Sequence, residues 1–163
     1  MNEHEQAYHR AFSISVSEVM STMTGFEMEE DDSYSESKGD SCDSSNKEPC
    51  EISGAMVLFG DKNSIATATM TRTTASVLVS YMTGIPYYEL TDEDLFDGVA
   101  EMMNLIAGRA KALLRDTEFY FEISPPFTIV GINHYIVHKK QASLIRKRFT
   151  SNDISFILKV FNT

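Results

Sequence analysis

The sequence predicts an α/β (α+β) sandwich in which two long helices and one short helix pack on a largely antiparallel sheet. Two windows, 5–23 and 91–113, repeat apolar residues at spacings of three and four, the period of a single helix face. Outside them lie β-rich runs at 52–59, 64–70, 119–123, 127–137, 144–150 and 154–161. The runs at 52–70 and at 144–161 are split by turns of only four and three residues, too short for the crossover that parallel strands need. A chain of 163 residues with 42% hydrophobic content is long enough to bury a real core, and one domain over 1–163 is expected.

In the first helix, Ala7, Ala11, Phe12, Val16, Val19, Met20 and Met23 keep helical spacing until Gly25 ends the pattern. A segment at about 29–51 follows, with nine acids against Lys38 and Lys47, a net of −7 out of the chain's −10. Rich in serine and poor in large apolar residues, it buries too little surface to offset its ordering entropy, so it reads as a flexible acidic insert. Residues 52–59 and 64–70 form a hairpin through Gly60-Asp61-Lys62-Asn63, and the alternation of Ile65, Thr67 and Thr69 with Ala66, Ala68 and Met70 predicts a half-exposed strand. Residues 73–83 give a short helix with Val77, Leu78 and Tyr81 inward, stopped by Gly84 and Pro86.

Thr91, as an N-cap before Asp92, Glu93 and Asp94, opens the second long helix, and Arg109, Lys111 and Arg115 complement the negative end of its dipole. Leu95, Val99, Met102, Ile106, Ala110 and Leu113 make its core stripe. At about 100° per residue, Asp97, Glu101, Asn104, Gly108, Lys111 and Arg115 fall on the opposite face within roughly 80°. Glu101 and Asn104 are therefore neighbours one turn apart. Gly108 lies on the same line, and since a mid-helix glycine costs roughly 1 kcal/mol against alanine, close approach of another molecule is the expected reason for it.

Several chemistries lack their residues. The folded part outside the insert is near neutral, and Arg146-Lys147-Arg148 is too short a cluster for nonspecific nucleic-acid binding. No apolar run is long enough for a membrane span, and the amino terminus lacks the basic start and apolar centre of a signal peptide, so a cytoplasmic protein is expected. His134 and His138, read within a strand, stand roughly 13 Å apart, too far for one metal ion. Cys42 and Cys50 fall in the acidic segment without a second pair for zinc and are expected as thiols. Neither a glycine-rich phosphate cradle nor a Gly-x-Ser-x-Gly elbow is present.

Glu101-x-x-Asn104 followed by Leu105-Ile106-Ala107-Gly108, and later Ser124-Pro125-Pro126 leading into Thr128-Ile129-Val130-Gly131, resembles the chemotaxis phosphatases of the CheC/CheX family. The resemblance runs from Glu51 onward and includes Ile52-Ser53-Gly54 and Gly60-Asp61. Met102 and Leu105 stand where the family more often has other aliphatic residues, which keeps the apolar character. The first helix offers only Glu18-Val19-Met20-Ser21, with serine in the amide's place, and a single motif matches the CheX form.

The resemblance implies a CheC/CheX-like fold and hydrolysis of the aspartyl-phosphate on a CheY-type response regulator. The regulator would bring its own Mg²⁺, phosphoryl group and a lysine; the phosphatase would need no cofactor or metal of its own. By the same resemblance Asn104 orients the attacking water, which an amide does as donor and acceptor without ionising. Glu101 pairs with the regulator's lysine, and Asp97, Gly108 and Lys111 support partner binding. A homodimer is also implied. The alternative reading is a noncatalytic interaction or scaffolding module of the chemotaxis and flagellar switch apparatus.

Overall fold

A computed structural model describes residues 2–31, 50–134, 139 and 142–163. The elements, in order, are α1 (Glu3–Thr24), β1 (Glu29–Glu30), β2 (Ile52–Phe59), β3 (Ser64–Met70), α2 (Arg72–Thr83), a 3-10 turn (Tyr87–Glu89), α3 (Asp92–Leu113), β4 (Glu122–Ile123), β5 (Phe127–Val130), β6 (Ser143–Ser151) and β7 (Ile154–Asn162). All strand pairings are antiparallel, in the order β1-β6-β7-β3-β2, with β4 and β5 both on the outer edge of β2.

The helices begin and end where their side chains satisfy the backbone. Asn2 and Glu5 form a capping box on α1, Thr91 and Asp94 form one on α3, and Gly25 and Gly84 close α1 and α2 in the left-handed region at φ 75°. The predicted stripe of α3 faces the sheet: Leu95, Val99, Met102, Ile106 and Ala110 are buried in one core cluster with Met56 and Leu58 of β2 and Leu158 and Val160 of β7. Tyr8, Phe12, Val16 and Met20 of α1 complete this layer. Each large apolar side chain so enclosed contributes about 1.5–3 kcal/mol relative to exposure.

Two glycines set how deeply α3 sits. A Cβ on Gly54 of β2 would lie 2.7 Å from the Val99 carbonyl oxygen, and one on Gly98 of α3 would lie 2.5 Å from a Val79 methyl on α2. Both are places where only a missing side chain admits the neighbour.

Edge strands β4 and β5 are separated by Ser124-Pro125-Pro126, and the interruption is closed chemically by Ser124. Its N–H donates to the Val57 carbonyl at 2.9 Å, while its Oγ accepts from Val57 N–H at 2.9 Å. The prolines, which have no N–H to give, thus leave no gap in the bonding of β2 at Val57.

Several expectations need correction. The 119–123 run is strand only at Glu122–Ile123, and the 127–137 run is strand at Phe127–Val130, with 135–137 outside the described residues. The acidic segment is not wholly unstructured at its start, because Glu29–Glu30 pairs with Phe149 and Thr150; residues 32–49 lie outside the described residues. Tyr81, expected inward, is 62% exposed and stacks edge-on with Phe26 at 5.0 Å. The strand expected to be half exposed is buried at Ala66, Ala68 and Met70 and partly exposed at Ile65 and Thr69 on its other face, where Thr67 alone is fully buried.

Candidate functional site

The outward face of α3 presents Asp97 and Glu101 to solvent and Asn104 half-buried beside them. Asn104 Nδ2 donates to Glu101 Oε2 at 3.2 Å, the i, i+3 contact that the wheel predicts. One more N–H and the carbonyl oxygen of the amide remain for other partners. Gly108 follows on the same line, and a Cβ there would meet nothing within 4 Å. Packing among the described residues therefore gives no reason for this glycine, in contrast to Gly54 and Gly98.

Lys111, one turn beyond, is engaged within the chain. It pairs with Glu122 of β4 and lies 5.6 Å from the centre of the Tyr120 ring, while Tyr120 Oη donates to the same Glu122 carboxylate. Hydrogen bonding to Glu122 and Tyr120 raises the Lys111 pKa, and hydrogen bonds from Lys111 and Tyr120 lower that of Glu122. Arg109 reaches across to Glu18 of α1 at 2.5 Å. That bond lowers the Glu18 carboxyl and raises the Arg109 guanidinium. The α1 counterpart of the motif is thus a carboxylate already paired to a cation, and its Ser21 Oγ donates to Glu27 at 2.6 Å. Sequence spacing showed neither pair, because each joins residues distant in the chain or on separate elements.

The face built by Asp97, Glu101 and Asn104 is rich in carboxylate oxygens. An acyl phosphate brought to it would need its own cations to offset the repulsion. No group of three His, Cys, Asp or Glu side chains that could hold a metal occurs among the described residues. His134, which lies in the turn after β5 rather than in a strand, directs Nε2 to Ser53 Oγ at 2.6 Å and Nδ1 to the Gly131 carbonyl at 2.8 Å. His138, expected to stand too far from it to share a metal ion, lies outside the described residues, as does Cys42; the Cys50 carbonyl accepts from His134 N–H at 3.2 Å. None of the described helices is long and apolar enough to cross a membrane.

Known proteins share this architecture. The chain is similar to a chemotaxis protein CheX from Desulfovibrio desulfuricans (24% identity, TM-score 0.74, 96% of this chain and 99% of that one). It is similar to CheX from Vibrio vulnificus (22% identity, TM-score 0.77, 96% of each chain). A third likeness is to the CheX-CheY-BeF3-Mg²⁺ complex from Borrelia burgdorferi (22% identity, TM-score 0.71, 95% of this chain and 96% of that one). At these identities the likeness establishes the fold. No curated protein matches the chain in sequence. A family model described as chemotaxis phosphatase CheX matches residues 52–150, which span β2 through most of β6 and include the whole of α3. With the fold and the matched motif helix in agreement, the chain belongs to the CheX family of chemotaxis phosphatases.

Proposed function

We propose that this protein accelerates hydrolysis of the aspartyl-phosphate of a CheY-type response regulator, with Asn104 and Glu101 as the residues it contributes. The observation that carries the reading is the Glu101–Asn104 pair on an exposed helix face of a CheX-family chain. The Borrelia complex, in which a CheX protein is bound to CheY with BeF3 and Mg²⁺, supports the choice of partner.

In this mechanism water attacks phosphorus and the bond from phosphorus to the aspartyl oxygen breaks, giving inorganic phosphate and a free carboxylate. The regulator supplies Mg²⁺ and a lysine, the cations that an acidic helix face lacks. When that lysine pairs with Glu101, the carboxylate no longer engages Asn104 Nδ2, and the amide turns to the water. Asn104 accepts a proton-bearing O–H of the water and donates an N–H to the phosphoryl oxygens, holding the nucleophile in line. Asp97 adds negative charge toward the regulator, Gly108 lets its backbone come close, and Lys111 with Glu122 borders the contact.

The reading includes one domain over 1–163, a cytoplasmic location and a homodimer. Exposed Phe127, Val130 and Ile132 on and after edge strand β5 support self-association.

The test is phosphate release from a phosphorylated CheY-type regulator. Asn104→Ala should lower kcat about a hundredfold or more while leaving regulator affinity nearly unchanged. Glu101→Ala should also raise KM about tenfold through loss of a charged pair. Undiminished turnover by Asn104→Ala would overturn the assignment.

A further inference from the structure

Three contacts meet the early turns of α3 within four residues. Gly54 admits the Val99 carbonyl, Gly98 admits Val79, and Thr128 Oγ1 of β5 donates to the Phe96 carbonyl at 2.8 Å. The glycines set depth, while the apolar stripe supplies close packing but no bond of fixed direction. The Thr128 bond is directional. The Phe96 carbonyl is also the acceptor for the helical N–H four residues on, so the hydroxyl adds a second donor from outside the helix and ties this turn of α3 to β5.

The strand that carries Thr128 is itself anchored. Residues Phe127–Val130 are in register with Ala55–Ile52 of β2. Beyond them, His134 Nδ1 faces the Gly131 carbonyl and so bears the hydrogen, leaving Nε2 to accept from Ser53 Oγ. Ser53 Oγ, with its hydrogen directed at the ring, accepts from Thr69 Oγ1 at 2.6 Å. The turn after β5 is thereby pinned to β2 and, through Ser53, to β3.

We propose that Thr128 is a positioning residue for the reaction proposed above, on which this inference rests: its hydroxyl holds the tilt of α3 and so the placement of Asn104. Asn104 lies eight residues past Phe96, about 12 Å along the axis. A pivot of about 5° on the glycine seat moves it by about 1 Å, and a misplacement of that size costs up to about a hundredfold in rate. The partner-facing carboxylates would still be displayed, so affinity would change little.

The experiment compares wild type, Thr128→Val, which keeps the shape and removes the donor, and Thr128→Ser, which restores it. Turnover of phosphorylated regulator is measured alongside the NMR resonances of the Asn104 side-chain amide in the protein alone. The expected result for Thr128→Val is a kcat reduced about tenfold with KM changed less than about twofold, together with shifted Asn104 side-chain resonances; Thr128→Ser should return both toward wild type. A lowered melting temperature with unchanged kcat and unchanged Asn104 resonances would overturn the proposal, as would equal losses in the two variants. Failure of the wild type to act on any regulator would remove the phosphatase reading, while the resonances would still decide whether Thr128 positions Asn104.

Discussion

Gly108 separates two reasons for a glycine inside a regular element. Gly54 and Gly98 are close-packed positions, whereas Gly108 faces space within 4 Å of where a Cβ would stand. Alanine at 108 should therefore stabilise the free protein by up to about 1 kcal/mol, read as a rise in melting temperature. Gly108→Gln should keep that fold and raise KM for the phosphorylated regulator, because a longer side chain holds the partner's backbone away from α3. A Gly108→Gln protein with unchanged KM would show that the partner does not approach at this point. The Glu101–Asn104 contact was legible residue by residue, since a three-residue spacing on a helix fixes proximity without knowledge of the rest of the molecule. Lys111 illustrates the opposite case. Its position on the face was predictable, but its engagement with Glu122 depends on where β4 runs.

At the scale of the element, α3 is held by what it lacks at Gly98. An alanine there would overlap both methyls of Val79, at 2.5 and 2.6 Å, within a buried contact between α3 and α2. Gly98→Ala should cost about 1–3 kcal/mol in denaturant unfolding, and Val79→Ala in the same chain should recover part of that loss although it costs stability alone. Additive losses would mean that the overlap is relieved elsewhere. The apolar stripe from Leu95 to Ala110 was readable because helical period and burial coincide. The glycine seats were not, because a close approach involves two elements and leaves no periodic mark. The same reason hid the Glu18–Arg109 pair and the bond from Thr128 to Phe96, whose partners are 91 and 32 residues apart. Tyr81 was misplaced because the buried stripe of α2 is Thr74, Ala75, Leu78 and Val79 with Met82 beside it, which leaves Tyr81 on its flank; short helices with few apolar positions fix the centre of the stripe poorly.

Across the whole molecule, titration should make the fold acid-sensitive in two stages. His4 and His9 are held below the ordinary histidine range, first by burial and then by Lys62 and Lys147 respectively. Their unfolded forms bind protons more readily, so stability falls as pH drops through about 6.5. Burial works against ionisation of Glu30, yet hydrogen bonds from Lys147 and Ser13 keep its carboxyl low, and Asp94 is kept low by the Thr91 cap. These groups favour the folded state above the carboxylate range and lose that effect on further acidification. The melting temperature should therefore decline between pH 7 and about 5.5 and again below about 4.5, with His9→Gln flattening the first decline. A melting temperature that rises from pH 7 to about 5.5 would contradict this assignment.

The seam at Ser124-Pro125-Pro126 bears on how the chain survives at high concentration. A straight outer strand from Glu122 to Val130 would offer neighbouring molecules a long template for cross-chain growth into fibres or amorphous deposits. Two consecutive residues with no N–H cut that template into pieces of two and four residues, while Ser124 keeps Val57 bonded on the inner side. The margin of the sheet can thus carry exposed Phe127 and Val130 for a specific contact and still be a poor seed for runaway assembly.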